Sequence, residues 1–86
     1  MHQKINQKVS VITVFDQKKS LVMPIKIKWQ GKVHPIKKLG YHHHYRQGRD
    51  LIHIFSVANQ SLAFRLRLNS TNLHWLLEEV SDGQVN

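Results

Sequence analysis

Eighty-six residues make one small domain. A chain of this size buries roughly 60–65% of its unfolded surface, leaving little material for a deep, desolvated catalytic pocket. Apolar residues make up 41% of the chain, which excludes wholesale disorder, and the absence of cysteine excludes disulfides and thiolate metal sites and fits a reducing, cytoplasmic location. Thirteen lysines and arginines against five acids give a net charge of +8, a field that favours a polyanion such as DNA or RNA, or an acidic protein.

Apolar and polar residues alternate with period two along most of the chain, the signature of strands. The polar segment 1–8 reads as a flexible basic lead-in with no apolar core, so no secretory leader is expected there, and no apolar run is long enough to span a membrane. Val9 to Phe15 is the first strand, with Val9, Val11 and Phe15 on one face and Ile12 and Val14 on the other. Val22 to Trp29 is the second, and Pro24 suits its entry or an edge position. Gln30-Gly31 predicts a two-residue hairpin in which Ile27 opposes His34 and Ile25 opposes Ile36. The third strand runs from Lys32 to about Leu39, with a bulge at Lys37-Lys38 where alternation breaks.

Gly40 to Asp50 (GYHHHYRQGRD) lacks a clean period, is bracketed by glycines and reads as a long loop. Leu51 to Ala58 and Leu62 to Leu68 follow as a hairpin about Asn59-Gln60, pairing Val57 with Leu62, Phe55 with Phe64 and His53 with Leu66. The turn Asn69 to Asn72 returns Leu73 to Val80 as a sixth strand, with Trp75 opposite Leu66 and Leu77 opposite Phe64. Residues 81–86 read as a polar tail. The expected fold is therefore all-β: one domain over 9–80, a five- to six-stranded antiparallel meander curling into an SH3-like half or full barrel. Its core comprises Val11, Phe15, Ile25, Ile27, Trp29, Ile36, Leu39, Phe55, Val57, Leu62, Phe64, Leu66, Trp75 and Leu77.

Three pieces of the chain carry a resemblance: the basic strand and turn Pro24 to Lys32 (PIKIKWQGK), the hairpin Ile54 to Leu68, and the final strand Trp75-Leu76-Leu77-Glu78-Glu79-Val80. Over Val11 to Gly83 the sequence resembles a family of small bacterial domains of unknown function, some fused to or encoded with translesion-type DNA polymerase components. His34 stands where that pattern carries an aromatic residue, and the central loop has histidines where tryptophan and arginine are usual. The resemblance implies a small β fold in a nucleic-acid-processing or DNA-repair context, and it supplies no catalytic residues.

Candidate sites follow from side-chain chemistry. Lys26, Lys28, Arg65 and Arg67 project from strand faces, with Lys37 and Lys38 nearby. Such cations neutralise phosphates, although lysines also guard sheet edges as plain solvated charge. In the loop, Tyr41, His42, His44, Tyr45, Arg46 and Arg49 interleave rings with charge, as suits base stacking and phosphate contact on single strands. The spacing of His42 and His44 also suits chelation, with His53 as a third ligand, although no metal or other cofactor is required by the sequence. The seven histidines raise the charge below about pH 6.5.

Ile52, Ile54 and Leu76 form an apolar patch on the face that carries Arg65 and Arg67, which a partner protein would cover. Trp29 and Trp75 read as packing residues, and His34 and His53 as inward structural histidines. Glu78 and Glu79 fall on opposite sides of a strand and cannot act as a catalytic pair. No nucleophile elbow or glycine-rich phosphate loop appears. The leading expectation is a non-enzymatic nucleic-acid-backbone binder with little sequence preference, acting as a monomer or weak homodimer away from membranes. Its rival is a protein-interaction module docking through the apolar face or an open sheet edge, and the third reading is a histidine metal site.

Overall fold

Period-two patterning becomes strand along nearly the whole chain. The computed structural model describes residues 2–82, and the expected tail beyond 82, with the Gly83 end of the resemblance, lies outside them. Seven strands form: β1 (His2–Asp16), β2 (Leu21–Trp29), β3 (Lys32–Pro35), β4 (Lys38–Gln47), β5 (Asp50–Ala58), β6 (Leu62–Asn69) and β7 (His74–Asp82). They make one unclosed antiparallel sheet in the order β3-β2-β1-β7-β6-β5-β4. Among the described residues no helix is long and apolar enough to cross a membrane.

Seven strands replace the expected five or six for two reasons. The segment expected as a loop is β4, paired residue for residue with β5 from Tyr41↔Ser56 to Gln47↔Asp50. The third strand is interrupted at Ile36-Lys37 and resumes on a different neighbour: Ile36 N–H donates to Ile25 O on β2, and Lys37 N–H donates to Ala58 O on β5, each at 2.9 Å. The lead-in over 1–8 is also strand from His2 onward. His2 to Val9 pair with β7, and Ser10 to Asp16 pair with β2, so β1 serves two neighbours in turn. Ser81 and Asp82 belong to β7 rather than to a tail.

The hairpin at Gln30-Gly31 forms in the expected register, with Ile27 opposite His34. Both turn residues have positive φ (53° and 73°), the conformation of a type I′ turn. The two later hairpins are each displaced by two residues from expectation. Phe55 faces Leu66 and Val57 faces Phe64, while Leu66 faces Leu77 and Leu68 faces Trp75. The turn centres on Gln60-Ser61 because Asn59 organises it. Its N–H donates to Leu62 O at 2.9 Å, and its Oδ1 accepts from Ser61 N–H at 3.0 Å and Leu62 N–H at 2.9 Å.

A shift of two leaves the side chains of β5, of β6 and of β7 up to Leu77 on their expected faces. There Arg65↔Glu79 gives way to Leu66↔Leu77, a bulge that inserts Glu78 and turns Val80 into the core; Glu78 and Glu79, expected on opposite sides, border one surface hollow beside Arg65. The core accordingly unites Ile27, Phe55, Val57, Phe64, Leu66, Leu68, Trp75, Leu77 and Val80, with Val11, Trp29, Ile36, Leu39 and Leu62 packed partly buried against them. His34 lies inside with its ring centroid 5.9 Å from Trp29 and 5.5 Å from Phe64. That contact joins β3 to β6, so the sheet curves back over itself. Phe15 and Ile25 depart from the expected core. Ile25 is the extra residue of a bulge where Ile12↔Lys26 gives way to Thr13↔Pro24, and Phe15 is 62% exposed beyond it.

These burial differences give a contrast measurable by urea unfolding. Leu66→Ala, at a fully buried position, is expected to cost about 2–5 kcal/mol, a large share of a small domain's stability. Phe15→Ala is expected to cost less than half as much. Equal losses at the two positions would contradict this assignment of the core.

Candidate functional site

Among the described residues β4 lies at the sheet edge and pairs with β5 alone along its length. After the irregularity between Leu39 and Tyr41, its side chains alternate cleanly. Tyr41, His43 and Tyr45 take the outer face, and His42 and His44 take the inner one.

The outer residues make a ladder of rings. Tyr41 and His43 have centroids 5.2 Å apart, and His43 and Tyr45 6.3 Å apart. Both tyrosines are exposed and His43 is half-buried. Arg46 and Arg49 are exposed where β4 turns into β5 through Gly48, whose φ is +62°. His43 was not among the sequence candidates, yet counting by two from Tyr41 places it between the tyrosines. The same count removes His42, His44 and Arg46 from this face.

Beneath the ladder lie the two isoleucines expected to form an exposed docking patch. They are buried instead, Ile52 at 0% and Ile54 at 2% exposure. Ile54 stands in register between His43 and Arg67, and Ile52 between Tyr45 and Asn69. Arg67 Nη2 donates to Gln47 Oε1 at 2.7 Å, a bond that reaches across β5 over Ile52. Long side chains on both neighbouring strands therefore cover this patch, and only Leu76 stays half-buried. Arg67 is consequently a cover, not a free phosphate contact. Its Nε and His43 Nδ1 are enclosed with no hydrogen-bond partner among the described residues.

Arg65 is likewise engaged, donating from Nε to Glu78 Oε1 at 3.0 Å. Lys26 and Lys28 are exposed on β2, and Lys37 and Lys38 are exposed at the step from β3 to β4. Apolar exposure appears in a different place from the one expected. Ile12, Val14 and Val33 are each more than half exposed. Ile12 lies in register with Lys26, and Lys28 lies in register with Val33. The sequence signal for this was present in β1, which carries apolar residues on both faces.

On the inner face His42, His44 and His53 converge. His42 rests on Phe55 with centroids 4.6 Å apart, and its Nε2 hydrogen-bonds His53 Nδ1 at 2.9 Å. The two rings are nearly parallel (9°) with centroids 5.1 Å apart, the separation of rings joined edge to edge. His44 is the cross-strand partner of His53, with centroids 5.6 Å apart. A cavity of about 180 Å³ borders His53 and is bounded by Phe15, Leu21, Val22, Phe55, Leu68 and Leu73.

Burial lowers the pKa of His42, and the neighbouring histidines His53, His44 and His43 lower it further. His53 is lowered by burial and then by His44. Asp50 is lowered by hydrogen bonds from Asn69 and Thr71, with Arg67 adding to the effect. This carboxylate anchors the β4–β5 turn to the end of β6, where Asn69 Nδ2 donates to its Oδ2 at 3.1 Å.

The two lowered imidazoles bind fewer protons in the folded chain than the unfolded chain does at the same pH. Their contribution to stability is therefore complete above the unfolded pKa of about 6.5 and is lost as pH falls from there through the folded values. Thermal unfolding followed from pH 8 to pH 5 is expected to show Tm falling on acidification. In His42→Phe, which keeps a ring on Phe55, the fall should be shallower; parallel curves for the two proteins would refute the assignment. No protein-family model, curated protein or solved structure matches this chain.

Proposed function

We propose that this domain is a non-enzymatic, cytoplasmic binding module for nucleic acid, most suited to single strands and with little sequence preference. The observation that carries this reading is the Tyr41–His43–Tyr45 ladder on an edge strand, with Arg49 exposed in the turn at its end. Stacking on exposed rings is sequence-tolerant because every base has a π face. Phosphate neutralisation is supported by charge balance: five acids can pair at most five of thirteen cations, so a net +8 remains whatever the pairing.

The exposed pair Lys37 and Lys38 lies at the start of the strand that carries the ladder, and Lys26 and Lys28 lie beyond the step on β2. We read the curved sheet as a half-barrel of the SH3-like kind. The resemblance to small domains encoded beside translesion polymerase components supports a DNA-repair context.

Fluorescent single- and double-stranded oligonucleotides titrated at two salt concentrations test this proposal. Tyr41→Ala and Tyr45→Ala are each expected to weaken single-strand binding by about 10-fold, within the usual range for loss of a base–aromatic stack. Lys37→Gln should reduce the salt slope by close to one unit. No binding at about 50 mM salt would end the proposal.

A second reading is favoured by the exposed apolar residues Ile12, Val14 and Val33 set among Lys26 and Lys28: a docking face for an acidic protein, or for a second copy in a weak homodimer. Light scattering on the intact chain separates the two forms of that reading. A mass that rises with concentration and returns to monomer in Val33→Lys supports self-association; a constant monomer mass removes it.

A further inference from the structure

We propose that His42, His44 and His53 form a binding site for a late first-row divalent metal ion, with Zn²⁺ as its representative. One nitrogen from each ring contributes to a set in which all three atoms lie within 4.8 Å of one another. Zn–N bonds of about 2.0–2.1 Å in a tetrahedron place ligand nitrogens roughly 3.3 Å apart. His42 Nε2 and His53 Nδ1, at 2.9 Å, are already slightly closer than this; binding would rotate both rings until their lone pairs leave the line joining them, and would turn the exposed His44 toward the same point.

The backbone supplies the convergence. His42 and His44 are two residues apart on β4 and share its inner face. His53 stands directly across from His44 on β5, and Phe55 holds the His42 ring from beneath. Ligands on paired strands are placed more tightly than ligands on a loop. Neutral imidazole is a ligand of choice for zinc, copper and nickel.

Binding exchanges one N–H···N hydrogen bond between His42 and His53 for coordination by both rings. The proton that lay between them moves to the far nitrogen of its own ring, so both near nitrogens offer lone pairs. Three neutral ligands leave the ion its full double charge, which favours water or an anionic oxygen donor in the fourth position. This site lies on the face of β4 opposite the tyrosine ladder and is independent of nucleic-acid binding.

The test uses the full chain without an affinity tag. Zn²⁺ titration by calorimetry at pH 7.5 is expected to give one ion per chain and a raised Tm, and Co²⁺ should give the visible absorption of a tetrahedral centre. His44→Ala removes an exposed ring and should weaken Zn²⁺ binding by about 100-fold or more. His53→Gln should do the same, whereas His74→Ala, also an exposed histidine, should leave binding unchanged. A wild-type chain that binds no stoichiometric Zn²⁺, or one bound equally well by His44→Ala, would show that the trio is only a hydrogen-bonded structural cluster.

Discussion

The amide of Ile36 donates to Ile25 O on β2, and the next amide along the chain, that of Lys37, donates to Ala58 O on β5. Those two acceptors lie near opposite edges of a seven-stranded sheet. Two successive peptide units cannot reach both unless the sheet bends until its edges approach, so this step dictates the curvature. Proline at position 35 suits the place. Ile36 bonds to β2, so the neighbouring position 35 points its amide side away from β2, where a missing N–H weakens no ladder and blunts the open edge. The curvature in turn lets Ile27 on β2 share a core with Phe55, Phe64 and Leu66 on the far strands.

β4 inherits its two characters from the same step. It begins at Lys38, at the edge, with β5 as its one neighbour among the described strands. One face therefore meets the concave interior and the other meets solvent across a thin layer of long side chains. A histidine facing inward finds Phe55 and His53, and a tyrosine facing outward finds the covered isoleucines. Five consecutive residues from Tyr41 to Tyr45 thus divide between a polar inner cluster and an outer aromatic strip.

The faces of the strands were legible in the sequence, because burial follows a period of two and that period survives in the residue types. Registers were less legible. The hairpin at Gln30-Gly31 could be read because a type I′ turn fixes its own centre. The hairpin at Asn59 could not, because its side chain moves the centre one residue along and shifts every pairing by two without changing any face. The length of β4 was hidden for a different reason. Histidine and tyrosine suit either face of a strand, so their alternation carries no apolar signal. The burial of Ile52 and Ile54 depended on Arg67 reaching Gln47 over an intervening strand, which no local pattern records.

The tolerance of this sheet to a two-residue slip bears on how the chain folds. A hairpin of β5 and β6 formed about Asn59-Gln60 would still lay Phe55 and Val57 against Leu62, Phe64 and Leu66, and would gain most of the native hydrophobic energy. Such a pairing would have to unzip before it could correct itself, which is the property of a kinetic trap. The bonds from Asn59 to Ser61 and Leu62 form within a four-residue loop, far faster than a strand pair can zip. Bonds that close this early would favour the native frame before the apolar residues meet, which gives Asn59 a part in the rate of folding as well as in the stability of the turn.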